Sequence, residues 1–495
     1  MSLLSQIPLV GRLIGGFHAG AGAGAASAVP AVRLDAVPVH EIETSPEKRP
    51  RTLKHLLRAN HANHALLALS EGGDGHENEM ETDADADIET EKHDRPNPLT
   101  PALGAAYLLG ASPDLLNHLY DTLARGCAPW APSPAELADA DWRECWGDAR
   151  FQRAYVDFFE DVLAAHRTAF DWKQVVATYL WGEGEVEADD RAGGRPVASS
   201  SASSSPSPSP SPSPAPPLVH NLVTGGNGGR ALVLLAYAFE LDSRVLAMEA
   251  LALAAVSYNG LHRYLDDPAY SEPGSAVPDA VAVAAAHDDD RPSVLLALLA
   301  EVANDPHLDA AAAKTSVTTT AHPSVFGKTL FATPATETAL RTHWQAWTPA
   351  LVRDPTRELR DAQPAGSTRR RGCYDRGLAR VLATSHAARV LLPHLPARHH
   401  VTLLRQWWLL TLAAYVAAGR PAVVELAQQT RAAERASQTW AAVEAQALGS
   451  PWNTDADYLA VVRALREAAT TWGDDDGRYL GVALQFVNEF DGWDE

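Results

Sequence analysis

The sequence predicts an all-α protein, a large helical array interrupted by two disordered inserts. Three observations carry that expectation. Ala and Leu dominate an apolar content of 46%, and both lose little side-chain freedom in a helix, whereas β-branched residues lose more. Runs of Val and Ile alternating with polar residues, the mark of half-buried strands, are scarce. Helix-starting devices precede apolar stripes at helical spacing. A chain of 495 residues can bury one large or two smaller cores; it reads as a tail over residues 1–50 and one helical domain over 51–495.

The first helix is expected from about Thr52, with Leu53, Leu56, Leu57, His64 and Leu67 near one face. An acidic insert follows at 71–95; residues 71–94 hold 11 acids and one Lys, a self-repelling block that buries nothing. A second helix starts near Pro101. In "GASPDLL" Ser112 can cap the next one, Pro113 fits its first position, and Asp114 faces the positive end of the dipole. Ser133-Pro134-Ala135-Glu136 reads as a capping box that opens another helix. "FQRAYVDFFEDVLAAH" and "DWKQVVATYLW" are amphipathic. The Ser-Pro alternation within 190–217 favours extended chain and cannot pack a core, so it is the second insert. "ALVLLAYAFELDSRVLAMEALALAAVSYNGLHRYL" is the most apolar segment, and "GLARVLATSHAARVLLPHLP", "TLLRQWWLLTLAAYVAAGRPAV" and "DADYLAVVRALREAATTWG" supply later helices. The stretch from about 310 to 375 has no clear period.

Net charge is −21, which argues against nucleic acid as the main partner, since phosphate neutralisation needs a basic surface. Cys127, Cys145 and Cys373 show no C-x-x-C spacing and suit a reducing compartment. No window of about 18 residues is apolar and uncharged, so no membrane span is expected. The N-terminus lacks the basic start of a secretory signal, and a cytoplasmic protein is expected. The absence of acids before Asp35 leaves room for a mitochondrial presequence.

His61 and His64 stand three apart on one helix face, a spacing that can present two imidazoles to a metal or serve as ordinary core polarity. "GGNGG" at 225–229 is not a dinucleotide fingerprint and reads as a flexible loop. Tyr237 and Glu240 share a face of the most apolar segment, with Glu249 further along. A buried carboxylate there needs a partner, for which Arg244 and Arg389 are candidates.

"LLRANHANH", "YLLGASPDLLNHLYD", "DWRECWGDARFQRAYVDFFEDVL", "AYAFELDSRVLAMEALALAAVSYN", "ATSHAARVLLPHL" and "LAAYVAAGRP" resemble, in order and spacing, the questin oxidase-like family over roughly residues 50–470. Its members are mostly fungal oxidoreductases of polyketide secondary metabolism that open an anthraquinone-type ring. The resemblance implies an all-α fold and oxygen-dependent oxidation of a polycyclic aromatic small molecule. That oxidation is either an NADPH-linked insertion with O2 or a cleavage at histidine-bound iron. This chain departs from the family where histidines are expected: Pro96, Pro98, Pro101, Arg230, Leu234, Ser257 and Asp457 stand there, and Ala460 replaces a lysine. Pro and Leu offer no side-chain donor, so no metal is expected. The positions carried over as pocket candidates are His61, His64, Tyr237, Glu240 and His386, with Arg230, Glu249 and Tyr155 for substrate. A relative that binds a small molecule without turning it over is the alternative.

Overall fold

The computed structural model describes residues 34–69, 95–165, 168, 170–182, 218–224, 226–258, 261–266, 294–309, 333–347, 369–370, 373–421, 439–474 and 477–493. The insert expected at 190–217, all of the acidic insert except its last residue, and most of the unplaced stretch after 310 lie outside them. So do residues 1–33 of the expected tail. Its remainder is anchored to the helices at points: Ile42 is 1% exposed, and the His40 amide donates to the Glu240 carbonyl at 2.7 Å. Structured chain therefore begins well before residue 51.

Helix α1 spans Lys48–Asn63, starting earlier and ending sooner than its periodicity suggested. After it Leu67–Ala68 (β1) pairs antiparallel with Arg95–Pro96 (β2), so Arg95 belongs to the fold and not to the insert. Helix α2 is Leu99–Leu108 and α3 is Pro113–Leu123, whose Ser112 cap accepts from the Leu115 amide as expected. The capping box at Ser133 opens no helix. Its hydroxyl instead accepts from the Ala154 amide at the start of α4 (Gln152–Ala164), which has free amides of its own to satisfy. Helix α5 is Trp172–Trp181.

The long apolar segment folds into α6 (Gly226–Leu241) and α7 (Arg244–Ala255), broken where Asp242 takes a φ of 48°. Gly228 and Gly229, expected in a loop, lie inside α6. At Gly229, with φ of 77°, a Cβ would sit 2.6 Å from the Thr384 methyl, so glycine permits the close approach of a neighbouring helix. Further helices of ten or more residues among the described residues are α8 (Val294–Asn304), α9 (Pro334–Ala346), α10 (Arg376–Leu391), α11 (Ala397–Ala417), α12 (Trp440–Gly449), α13 (Ala456–Trp472) and α14 (Arg478–Glu489). Helix α6 packs between α7 and α10, α13 packs across α2 and α10, and α4 covers α7. No helix among the described residues is long and apolar enough to cross a membrane.

Where α2 meets α6 the contact is glycine-sized. A Cβ on Gly104 would meet the Tyr237 ring at 2.9 Å. Gly104→Ala is therefore expected to destabilise by about 1–3 kcal/mol through overpacking, although alanine gains about 1 kcal/mol in helix propensity. A rise in the urea midpoint would show that the ring yields freely.

Candidate functional site

A cleft of about 330 Å³ opens where β2, α3, α6, α10 and the start of α13 meet. Pro96 and Pro98 line it, and their role follows from the backbone. The start of α2 is buried, with Leu99 and Thr100 almost fully enclosed, so a free amide there would be costly. Pro98 and Pro101 carry no amide hydrogen, and the Leu99 amide donates to Asn97 Oδ1 at 2.9 Å. Asn97 is itself anchored by donating to Asn60 Oδ1 and the Ala65 carbonyl. Prolines thus close a buried helix start that has few acceptors.

The charged wall of the cleft comes from three segments. Arg230 lies on α6, Arg376 and Arg380 stand one turn apart on α10, and Asp455 and Asp457 lie at the start of α13. Asp457 Oδ2 accepts from Arg380 at 2.9 and 3.2 Å. Burial works to raise this carboxyl, but Arg380 first, then Arg230 and Arg376, hold it at about 2. Asp455 caps α13 by accepting from the Tyr458 amide and also accepts from Trp493 Nε1. Cys127 lines the cleft too, and burial pushes its thiol up to about 11, which removes it as a thiolate nucleophile.

Two further polar clusters lie outside the lining of this cleft. In the first, Glu240 on α6 meets Arg463 on α13 and His386 on α10. His386 Nε2 stands 3.1 Å from both the carboxylate and the guanidinium, so it serves one at a time. Tyr237 lies under the Arg463 guanidinium, 5.0 Å from centroid to Cζ. The expected partners Arg244 and Arg389 are corrected to Arg463; Arg389 donates instead to Thr471. In the second cluster, His61 Nε2 lies 3.0 Å from Glu160 and Nδ1 lies 3.0 Å from Glu249. Burial alone would depress this imidazole, but the two glutamates raise it to about 9. Glu249, 1% exposed, borders a small void with Pro96, Arg230 and Leu234.

The residues expected to converge therefore divide. Tyr237, Glu240 and His386 form one group and His61 with Glu249 another. His64 closes α1 with its ring 6.3 Å from Tyr120. Tyr155 is fully enclosed, donates to the Trp142 carbonyl at 2.6 Å and packs among aromatic rings away from the cleft. Of the seven positions that depart from the histidine pattern, four line the cleft: Pro96, Pro98, Arg230 and Asp457. Arg376, Arg380, Arg463 and Glu160 escape the sequence reading. The usable signal was the Arg pair one turn apart in "RGLAR", facing two acids in "DAD".

This donor set does not fit a resident metal. Both ring nitrogens of His61 face carboxylates, and guanidinium groups occupy Asp457 and Glu240 where a cation would have to sit. Among the described residues no three His, Cys, Asp or Glu side chains gather as ligands. Purified protein is expected to carry no stoichiometric iron by elemental analysis and to gain no activity on adding Fe²⁺. One equivalent of iron, lost in His61→Ala, would refute this.

A family model described as questin oxidase-like matches residues 95–465. No curated protein matches the chain.

Proposed function

The chain belongs to the questin oxidase-like family, and from that premise we propose that it is an oxidoreductase acting on a polycyclic aromatic, polyketide-derived molecule bound in the cleft. The observation that supports this reading is the convergence of Pro96, Pro98, Arg230 and Asp457, from three separated segments, on one concave site. Ligand sites are typically clefts of about 300–1,000 Å³ with apolar walls and a few polar groups. Here Ala65, Ala68, Pro96, Pro98, Leu123 and Ala128 supply apolar walls and the arginines the polar groups.

In this reading NADPH and O2 are consumed co-substrates: the nicotinamide supplies the electron pair that reduces one oxygen atom to water while the other enters the aromatic molecule. The chain's own contribution is to exclude water along the proline wall and to orient the substrate against the arginines. A second reading, a relative that binds such molecules without turnover, draws on the same replacement of histidines by Pro, Arg and Leu. Incubating the protein with NADPH and a panel of hydroxyanthraquinones separates the two. Substrate-dependent NADPH and O2 consumption with an oxygenated product by mass spectrometry supports the oxidoreductase. Tight binding without consumption favours the binder, and no binding to any member of the panel removes both.

A further inference from the structure

Arg230 is 9% exposed and lines the cleft. Its nearest charge partner is Asp457 Oδ1, 3.7 Å from Nη2, beyond hydrogen-bond length. Among the described residues its side chain makes no hydrogen bond. A guanidinium has five N–H donors and is costly to bury without acceptors. The acids nearby are committed elsewhere. Asp457 Oδ2 is held by Arg380, and Asp455 serves the α13 amide, Trp493 and, at 3.3 Å, Arg376. Burial presses Arg230 towards losing its charge, with Asp457 opposing and Arg380 adding repulsion. The Arg230 nitrogens therefore face the open cleft and meet no protein acceptor among the described residues.

The sign of the charge that fits there follows from the wall. Arg230, Arg376, Arg380 and the exposed Arg95 line the cleft against Asp455 and Asp457, an excess of two positive charges. Arg95 stands further out, exposed, donating to the Gly126 carbonyl at 3.3 Å. In a chain of net charge −21 an inward-facing positive site is set against the general field, so it needs a local reason.

We propose that the cleft selects substrates bearing a carboxylate, with Arg230 and its neighbours on α10 receiving that monoanion while the ring system lies along the proline wall. The inference rests on the reading of the cleft as the substrate site and narrows it to aromatic acids. A planar guanidinium matches a carboxylate in a two-bond fork, which a lysine would not reproduce.

The test is calorimetric titration of the whole chain with anthraquinone-2-carboxylate, its neutral 2-hydroxymethyl congener, and adenosine 2′,5′-bisphosphate. The acid is expected to bind about 10- to 100-fold more tightly than the alcohol, the range of a charge-assisted hydrogen bond. Arg230→Gln should erase that preference while sparing affinity for the alcohol. Arg376→Gln, at a more exposed site, should weaken the acid by a smaller factor and decides the matter if Arg230→Gln does not fold. Equal binding of acid and alcohol would leave the cleft as the site and overturn the selection of acids. Failure of both to bind would remove the site itself. Tighter binding of the bisphosphate than of the acid, dependent on Arg230, would overturn the carboxylate in favour of a phosphate.

Discussion

Arg463→Met is expected to lower the free energy of unfolding by about 3–5 kcal/mol, the usual cost of stranding one member of a buried ion pair. The reason lies in what would remain. Glu240 is 3% exposed. Burial acts to raise its carboxyl, and Arg463 first, with His386 behind it, holds it at about 2. Without Arg463 the carboxylate keeps only His386, whose Nε2 must then donate, and Tyr237 loses the cation over its ring. Methionine fills much of the volume, so a void adds little. The double variant Glu240→Met/Arg463→Met removes both charges and is expected to recover most of the loss, because a buried pair often contributes little over an apolar replacement. Urea unfolding of the wild type, the single variant and the double variant reads the outcome. A double variant as unstable as the single one would show that packing, not the stranded charge, is responsible.

Arg463 also marks where sequence reasoning reaches its limit. The all-α class was legible, because Ala-rich and Leu-rich periodicity is local and the helices follow it. Ser112 was legible as a cap for the same reason. Ser133 was not: the same motif spends its hydroxyl on Ala154 of another helix, a tertiary choice that no window reveals. In "DYLAVVRAL" an arginine among apolar residues reads as the solvent face of an amphipathic helix, yet α13 is enclosed on the side that carries Arg463. Glu240 stands 223 positions from its partner, and pairing at that separation depends on topology. The candidate site was half legible. The departures at Pro96, Arg230 and Asp457 were visible in the chain. That they meet, and that Arg376 and Arg380 complete the wall, depends on α10 crossing between α6 and α13.

The second large effect is a pH dependence of stability centred on His61. An imidazole that titrates near 6.5 in the unfolded chain and at about 9 in the folded one binds its proton more tightly when folded. The stabilisation is therefore complete below pH about 6.5 and is lost as pH rises through about 9, the sign required when the folded group holds the extra proton. A shift of this size corresponds to about 3 kcal/mol. It arises from charged groups on two elements: Glu160 on α4, with Arg153 and Arg244 beside that glutamate, and Glu249 on α7. Loss of the proton would leave Glu249 almost fully buried, next to a neutral ring and Thr100. His61→Gln keeps a polar side chain but cannot carry the charge. Unfolding free energies at pH 6, 7, 8, 9 and 10, taken as wild type minus variant, are therefore expected to decline by about 3 kcal/mol over the whole series, most of it between pH 7 and 9. A difference that stays level with pH would mean that His61 sits in the fold uncharged, and that no proton is held between Glu160 and Glu249.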